Sequence, residues 1–146
     1  MRDRPRGIRN DNPGNIERTN DTWMGMSYDQ SGDSRFVVFS APVYGLRALM
    51  IVLRNYQKLY DLNTIEQIVT RWAPPHENPT DKYIWHVSTK MGVASTAPID
   101  LDDRETLVRL TKAMVRHENG TPPDDRKDWY DEDLYGRAAD LVFGKT

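Results

Sequence analysis

The apolar positions of the chain change their spacing near residue 40, and that change divides it. Residues 1–21 are mostly Arg, Asn, Asp, Gly and Pro, with Ile8 and Ile16 as the aliphatic anchors. Neither a strand nor a helix period is sustained there. Asn12-Pro13-Gly14-Asn15 is a turn signal, so an irregular segment is expected. Residues 22–39 have the pattern of a β-hairpin: Trp23, Met24 and Met26 approach a Ser/Gly/Asp turn, and Arg35-Phe36-Val37-Val38-Phe39 leaves it.

From residue 40 to 146 the spacing becomes helical. Ser40 can cap a helix in which Leu46, Leu49, Met50, Leu53 and Tyr56 share one face. Ile65, Ile68, Val69 and Trp72 form a second, shorter stripe that Pro74-Pro75 halts. Asn78 or Thr80 can cap a third helix, carrying Ile84 and Val87 and closing at Gly92. Asp102 with Glu105 resembles the start of a capping box for a fourth helix, which runs to about His117 with Gly120 as its stop. A final helix is expected from about Asp131 to Phe143. The pattern contains no repeat and no linker, so residues 1–146 read as one mainly α (α+β) domain with a small hairpin lobe.

Composition narrows the class without naming it. The 146 residues include 20 basic and 22 acidic side chains, a formal net charge of −2, and no cysteine. A balance so near neutral gives no electrostatic reason for nucleic-acid binding. The fold owes nothing to disulfides or thiolate metal sites. Four Trp, seven Tyr and three Phe argue for a packed core despite a hydrophobic fraction of 38%. No apolar run is long enough to span a membrane, and the basic N-terminus lacks the apolar stretch of a secretory signal. If the target lies outside the cytoplasm, another agent must deliver the protein.

One position breaks the helical pattern. Leu107, Leu110, Thr111 and Met114 mark the inward face of the fourth helix, and Glu118 falls four residues after Met114. An acid in that phase should lose part of its water, and both desolvation and the carbonyl end of a helix disfavour a carboxylate. A carboxyl that keeps its proton is what general-acid catalysis at a glycosidic oxygen requires. The plainer alternative is a solvated Glu on a fraying turn.

Two further groupings hold sugar-binding chemistry. Trp72 to Tyr83 place aromatics, Asn78 and Thr80 on a proline-constrained loop, and ring faces stack on pyranose C–H faces while amides take the hydroxyls. Equally, Trp72 could fill the core, and Asn78 or Thr80 could simply cap a helix. Asn12 and Asn15 with Trp23 form the second grouping, whose alternative is a turn beside a hairpin hydrophobe. His76, His86 and His117 have no ligand spacing, His86 reads as a helix-flank residue, and no nucleophile-elbow, phosphate-loop or dinucleotide motif occurs. No metal or cofactor is expected.

Further blocks stand out: Arg6-Gly-Ile-Arg-Asn-Asp-Asn-Pro-Gly-Asn-Ile16, Trp23-Met-Gly25, Phe36…Phe39…Tyr44-Gly-Leu-Arg-Ala48, Thr64-Ile65…Arg71-Trp-Ala-Pro-Pro75, Glu77-Asn-Pro-Thr80 and Tyr83-Ile84. Their likeness is to a family of phage and prophage proteins, often described as virion or structural proteins and in some cases as lysozyme-like. It covers most of residues 6–120. A second likeness is to glucosaminidases and lytic transglycosylases of the lysozyme superfamily, in which a helix ending in a catalytic Glu precedes an Asn-rich segment, a Trp-x-Gly hairpin and a helix. Here the Asn-Pro-Gly-Asn-Ile segment, Trp23-x-Gly25 and a helix keep that order. The Glu helix, ending Ala113-Met-Val-Arg-His-Glu118-Asn-Gly120, comes near the C-terminus instead. A circular permutation relates the two orders.

The second resemblance implies a lysozyme-like fold and cleavage of the β-1,4 bond between N-acetylmuramic acid and N-acetylglucosamine. Lytic transglycosylase is favoured over muramidase, because no second carboxylate suggests itself. It assigns the catalytic role to Glu118 and cleft roles to Asn12, Asn15, Trp72, Asn78, Thr80 and Tyr83. Its partners would be glycan strands of the wall and other virion proteins, reached by a virion-associated protein made in the host cytoplasm and acting in the periplasm or cell wall. A non-catalytic virion or tail protein on the same fold, and a secreted antibacterial effector, are the alternatives.

Overall fold

The computed structural model describes residues 4–144. Residues 1–3 of the expected irregular segment and 145–146 of the expected helical region lie outside the described residues. Six helices occur among the described residues: α1 (Arg6–Arg9), α2 (Pro42–Tyr60), α3 (Ile65–Trp72), α4 (Thr80–Met91), α5 (Arg104–Asn119) and α6 (Glu132–Phe143). The fold is mainly α. The first helix is a single turn inside the stretch expected to be irregular.

The five longer helices follow the apolar stripes. In α2 the residues Leu46, Leu49, Met50 and Leu53 are all fully buried, and Pro42 stands in its first turn, where a missing N–H costs nothing. The α2 core meets α6, α4 packs on α5, and α3 leans on α4. One apolar core joins Leu53, Ile68, Val87, Leu110, Met114 and Tyr135. No helix among the described residues is long and apolar enough to cross a membrane.

Several helix starts differ from expectation, each because a short polar side chain bonds to a group other than the helix amides. Ala41, not Ser40, precedes α2, and the Ser40 hydroxyl donates to the Gly25 carbonyl at 3.0 Å. Neither Asn78 nor Thr80 caps α4. Asn78 donates to the Pro74 carbonyl at 3.3 Å and the Thr80 hydroxyl to that of Ala73, so both brace the loop after α3. Asp103 rather than Asp102 caps α5, accepting from the Thr106 amide at 3.1 Å, while Asp102 pairs with Arg54 at 2.9 Å. Thr64 and Asp131 cap α3 and α6 through their side chains.

The region expected as a hairpin over residues 22–39 is an irregular lobe. Its pairing consists of the isolated antiparallel bridges Glu17↔Phe36 and Met26↔Phe39, with no continuous ladder among the described residues. Side chains take the backbone groups that a ladder would use. Gln30 donates to the carbonyls of Ser27 (2.8 Å) and Val38 (2.7 Å) and accepts from the Val38 amide at 2.9 Å. The buried Asp33 carboxylate accepts from Arg6, Asn10 and the amides of Arg35 and Phe36, all within 2.8 Å. Val37 and Phe39 are nevertheless buried, against Ile16 and Ala48.

The lobe is seated on α2 by a backbone contact. A side chain at Gly45 would bring its Cβ to 1.9 Å from the Asp11 carbonyl oxygen, so only glycine lets the Asn10–Gly14 turn lie on the helix.

Candidate active site

The buried face of α5 comprises Leu107, Leu110, Thr111 and Met114, and Glu118 continues it at the edge of the core, where it is half-buried. The helix stops one residue later because Gly120 takes a positive φ of 75°. The Glu118 carboxyl therefore sits at the end of a rigid stripe.

Three side chains remote in sequence meet it. Asn15 donates through Nδ2 to Oε1 at 3.2 Å, Trp72 through Nε1 to Oε2 at 3.2 Å, and Tyr83 through its hydroxyl to Oε2 at 2.8 Å. Trp72 is the last residue of α3 and Tyr83 lies in the first turn of α4, so the proline-braced loop between them sets both. Asn15 has a left-handed φ of 52°, which Asn tolerates better than most residues. Both carboxyl oxygens are engaged, and the group has one orientation.

A second layer of amides holds Asn15 in place. Asn12 is fully buried, accepts from the Ile16 amide and donates to the carbonyls of Ile16 and Val37 at 2.9–3.0 Å. Asn119 donates to the Pro13 carbonyl at 2.8 Å and to that of Val115 at 2.9 Å. The residue after the acid thus pins the turn that carries Asn15.

Tyr83 is buried, and burial first, then the charge and hydrogen bond of Glu118, push its phenol well above the ordinary value. It remains a neutral donor. Its ring stacks on His117, with centroids 3.7 Å apart, and His117 Nδ1 lies 2.8 Å from His86 Nδ1. Burial first, then His86 and Lys82, lower His117 to about 4, so it is uncharged near neutrality. A neutral imidazole carries one ring proton, and here one can bridge the two Nδ1 atoms.

The acid opens into a cleft of about 660 Å³, lined by Asn15, Tyr56, Trp72, Glu77, Asn78 and Glu118 among others. That volume suits a few sugar rings or a peptide segment. Of the candidate binding residues, Asn15, Trp72 and Tyr83 touch Glu118, and Asn78 lines the same cleft. Asn12 and Thr80 do not face it: both are buried, with their polar groups bonded inside the chain, and they serve the scaffold. Sequence reasoning missed three contributors: Asn119, Tyr56 (tilted against Trp72 at 6.5 Å) and the His86–His117 pair. The adjacency of Asn119 to Glu118 was the one available signal. His86 and His117 lie on different helices, 31 residues apart, with no local pattern to join them.

No protein-family profile matches the chain. The chain is similar to protein P5 of Pseudoalteromonas phage PM2, at 37% identity over 137 residues that cover 90% of this chain and 83% of that protein. Similarity of that extent is shared descent, and the chain belongs to the phage protein family that contains P5.

Proposed function

We propose that the chain is a phage-borne enzyme that cleaves the β-1,4 bond between N-acetylmuramic acid and N-acetylglucosamine, with Glu118 as its general acid and base. The observation that carries this reading is the convergence of Asn15, Trp72 and Tyr83 on one carboxyl that opens into a sugar-sized cleft. The three donors hold the carboxyl in one orientation beside an open cleft, which is the positioning an acid acting on a bound sugar requires. The docking of the Asn12–Asn15 turn on the end of α5 also supports the permuted lysozyme-like arrangement, since it supplies the neighbourhood that the reordered motifs require.

The chemistry needs one carboxyl. Protonated Glu118 gives its proton to the glycosidic oxygen as the C1–O4 bond breaks through an oxocarbenium-like transition state. The resulting carboxylate is stabilised by the same three donors. It then takes the proton of the muramyl C6 hydroxyl while O6 bonds to C1. The product is a 1,6-anhydro ring, no water is consumed, and Glu118 regains its proton.

Hydrolysis is the second reading, favoured by one observation: Glu17 and Glu77 line the same cleft as Glu118, and either is a candidate second carboxylate. Membership in a phage family supports virion association, with other virion proteins as partners. A non-catalytic virion component and a secreted antibacterial effector remain the rivals. Zymography on purified walls tests the proposal. Clearing by the folded protein supports it, and no clearing across several wall chemotypes refutes it in favour of the non-catalytic role. Mass spectrometry of released fragments then separates anhydro ends (transglycosylase) from reducing ends (muramidase).

A further inference from the structure

Beside the Glu118 cleft, the groove between α4 and α5 forms a second cavity of about 690 Å³ with the opposite charge. Lys82, Lys90 and Arg116 line it, and no carboxylate does. None of the three makes an ion pair among the described residues, although the chain as a whole carries more acid than base. Trp85 stands among them, 63% exposed, an unusual degree for so large an apolar ring. The Glu118 cleft is lined by three carboxylates, Glu17, Glu77 and Glu118, against the single guanidinium of Arg35.

The two cavities adjoin. Asn78 lines one and Pro79 the other, as do Glu118 and His117. The Tyr83 ring lies between them, stacked on His117 and bonded to Glu118. A wall glycan, the substrate in the reading above on which this inference rests, is a neutral sugar backbone bearing carboxylate-rich peptide branches. An acid-lined cleft repels such a branch, and a cationic groove beside it attracts one.

We propose that the α4–α5 groove is the binding site for the carboxylate-bearing stem peptide of the glycan, with Lys82, Lys90 and Arg116 as its anionic subsite and Trp85 as the apolar platform for the peptide. The site makes the enzyme selective for peptide-substituted glycan over bare saccharide.

The indole N–H signals of Trp72 and Trp85 report separately on the two cavities in NMR titrations of the full-length chain, with Trp23 as the reference; Trp129, whose indole donates to the Gly120 carbonyl at the edge of the α4–α5 groove, is read with Trp85. Glu118→Gln is used throughout to prevent turnover. The ligands are N-acetylglucosaminyl-N-acetylmuramyl-tripeptide, the same compound with its peptide carboxylates amidated, and N,N′-diacetylchitobiose. The tripeptide compound should shift both Trp72 and Trp85, and chitobiose only Trp72. Amidation, or the double substitution Lys82→Ala/Lys90→Ala, should weaken the tripeptide compound by about three- to ten-fold, the scale of two exposed charge pairs, and leave chitobiose within two-fold.

A Trp72 shift without a Trp85 shift overturns this inference and leaves the wall-cleaving reading standing, as does an unchanged Kd in the double variant. A Trp85 shift without a Trp72 shift keeps the peptide site and removes the cleft from the proposed function. Shifts at neither overturn both. Equal Trp85 shifts with a short oligonucleotide, run in parallel, overturn the assignment to peptide.

Discussion

Replacing Glu118 with Gln separates the catalytic reading from a packing role, because the structure constrains what the amide can do. The shape is conserved, so the end of the α5 stripe stays filled. Trp72 and Tyr83 both donate to Oε2, and an amide oxygen placed there accepts the same two bonds. The amide nitrogen then faces Asn15, whose Nδ2 now donates to Oε1. Asn15 can answer by turning its own amide over, because its Oδ1 is a buried acceptor with no partner among the described residues. Three bonds survive, and each loses its charge assistance. That loss is at most about 1 kcal/mol per bond and less at a half-exposed site, so the variant should be less stable by about 0–2 kcal/mol. Desolvation alone gives the opposite sign, since it favours the neutral amide. Against the roughly 5–15 kcal/mol of an ordinary domain the fold is safe.

Activity should fall much further. The amide has no proton to give at neutral pH and cannot serve as a base, so cleavage should drop by at least the roughly 10²–10⁴-fold attributed to general acid–base catalysis. Fragment release from purified walls, measured by mass spectrometry beside urea unfolding of the same preparation, reads both numbers. Near-wild-type release from a folded Glu118→Gln protein would remove the catalytic assignment. A variant more stable than wild type by over 1 kcal/mol would show instead that the three donors do not favour a carboxylate.

Tyr83→Phe keeps the ring on His117 and removes one donor from Glu118. Stability should fall by about 1–2 kcal/mol in urea titrations and wall cleavage by about ten-fold, whereas a structural hydroxyl predicts the first effect alone. His117 gives the protein a pH dependence of known sign. Its folded value is lowered to about 4 from 6.5, so its contribution is complete above 6.5 and is lost as pH falls toward 4. After allowance for the half-exposed ring the loss is about 1–2 kcal/mol, and His117→Gln should flatten that part of the urea-midpoint profile. Asp33→Ala leaves Asn10, the Arg6 guanidinium and two backbone amides without their acceptor. The cost should be about 3–5 kcal/mol by guanidinium unfolding, and a loss below 1 kcal/mol would show that the lobe does not depend on it.

The helical half of the molecule was legible because its signals are local. Leu46, Leu49, Met50 and Leu53 repeat at a spacing that only a helix buries on one side, and the glycines at 92 and 120 stop helices by backbone freedom alone. Ser40, Asn78, Thr80 and Asp102 misled for one shared reason. A short polar side chain caps a helix unless another partner claims it. The Gly25 carbonyl and the Arg54 guanidinium come to Ser40 and Asp102 from 15 and 48 residues away, whereas Asn78 and Thr80 turn back onto carbonyls of their own loop, four and seven residues earlier. In the lobe, the run Arg35–Phe39 read as one arm of a hairpin, and its composition said nothing of how the backbone would be satisfied. Asp33 and Gln30 supplied that answer.

The same limit governs the candidate site. Glu118 was visible because an acid in the phase of an apolar stripe is anomalous by itself. Asn12 and Asn15, three residues apart in one turn, were not distinguishable: both are amides suited to a sugar hydroxyl or to a backbone group. Their roles separate only when α5 arrives from the far end of the chain. Asn119 then ties Pro13 down, Asn12 closes the turn from within, and Asn15 alone is left facing the carboxyl. A polar residue beside the acid therefore depends on neighbours that never approach the cleft. Substitutions at Asn12 or Asn119 should disturb Glu118 through Asn15, just as surely as substitutions at Asn15 itself.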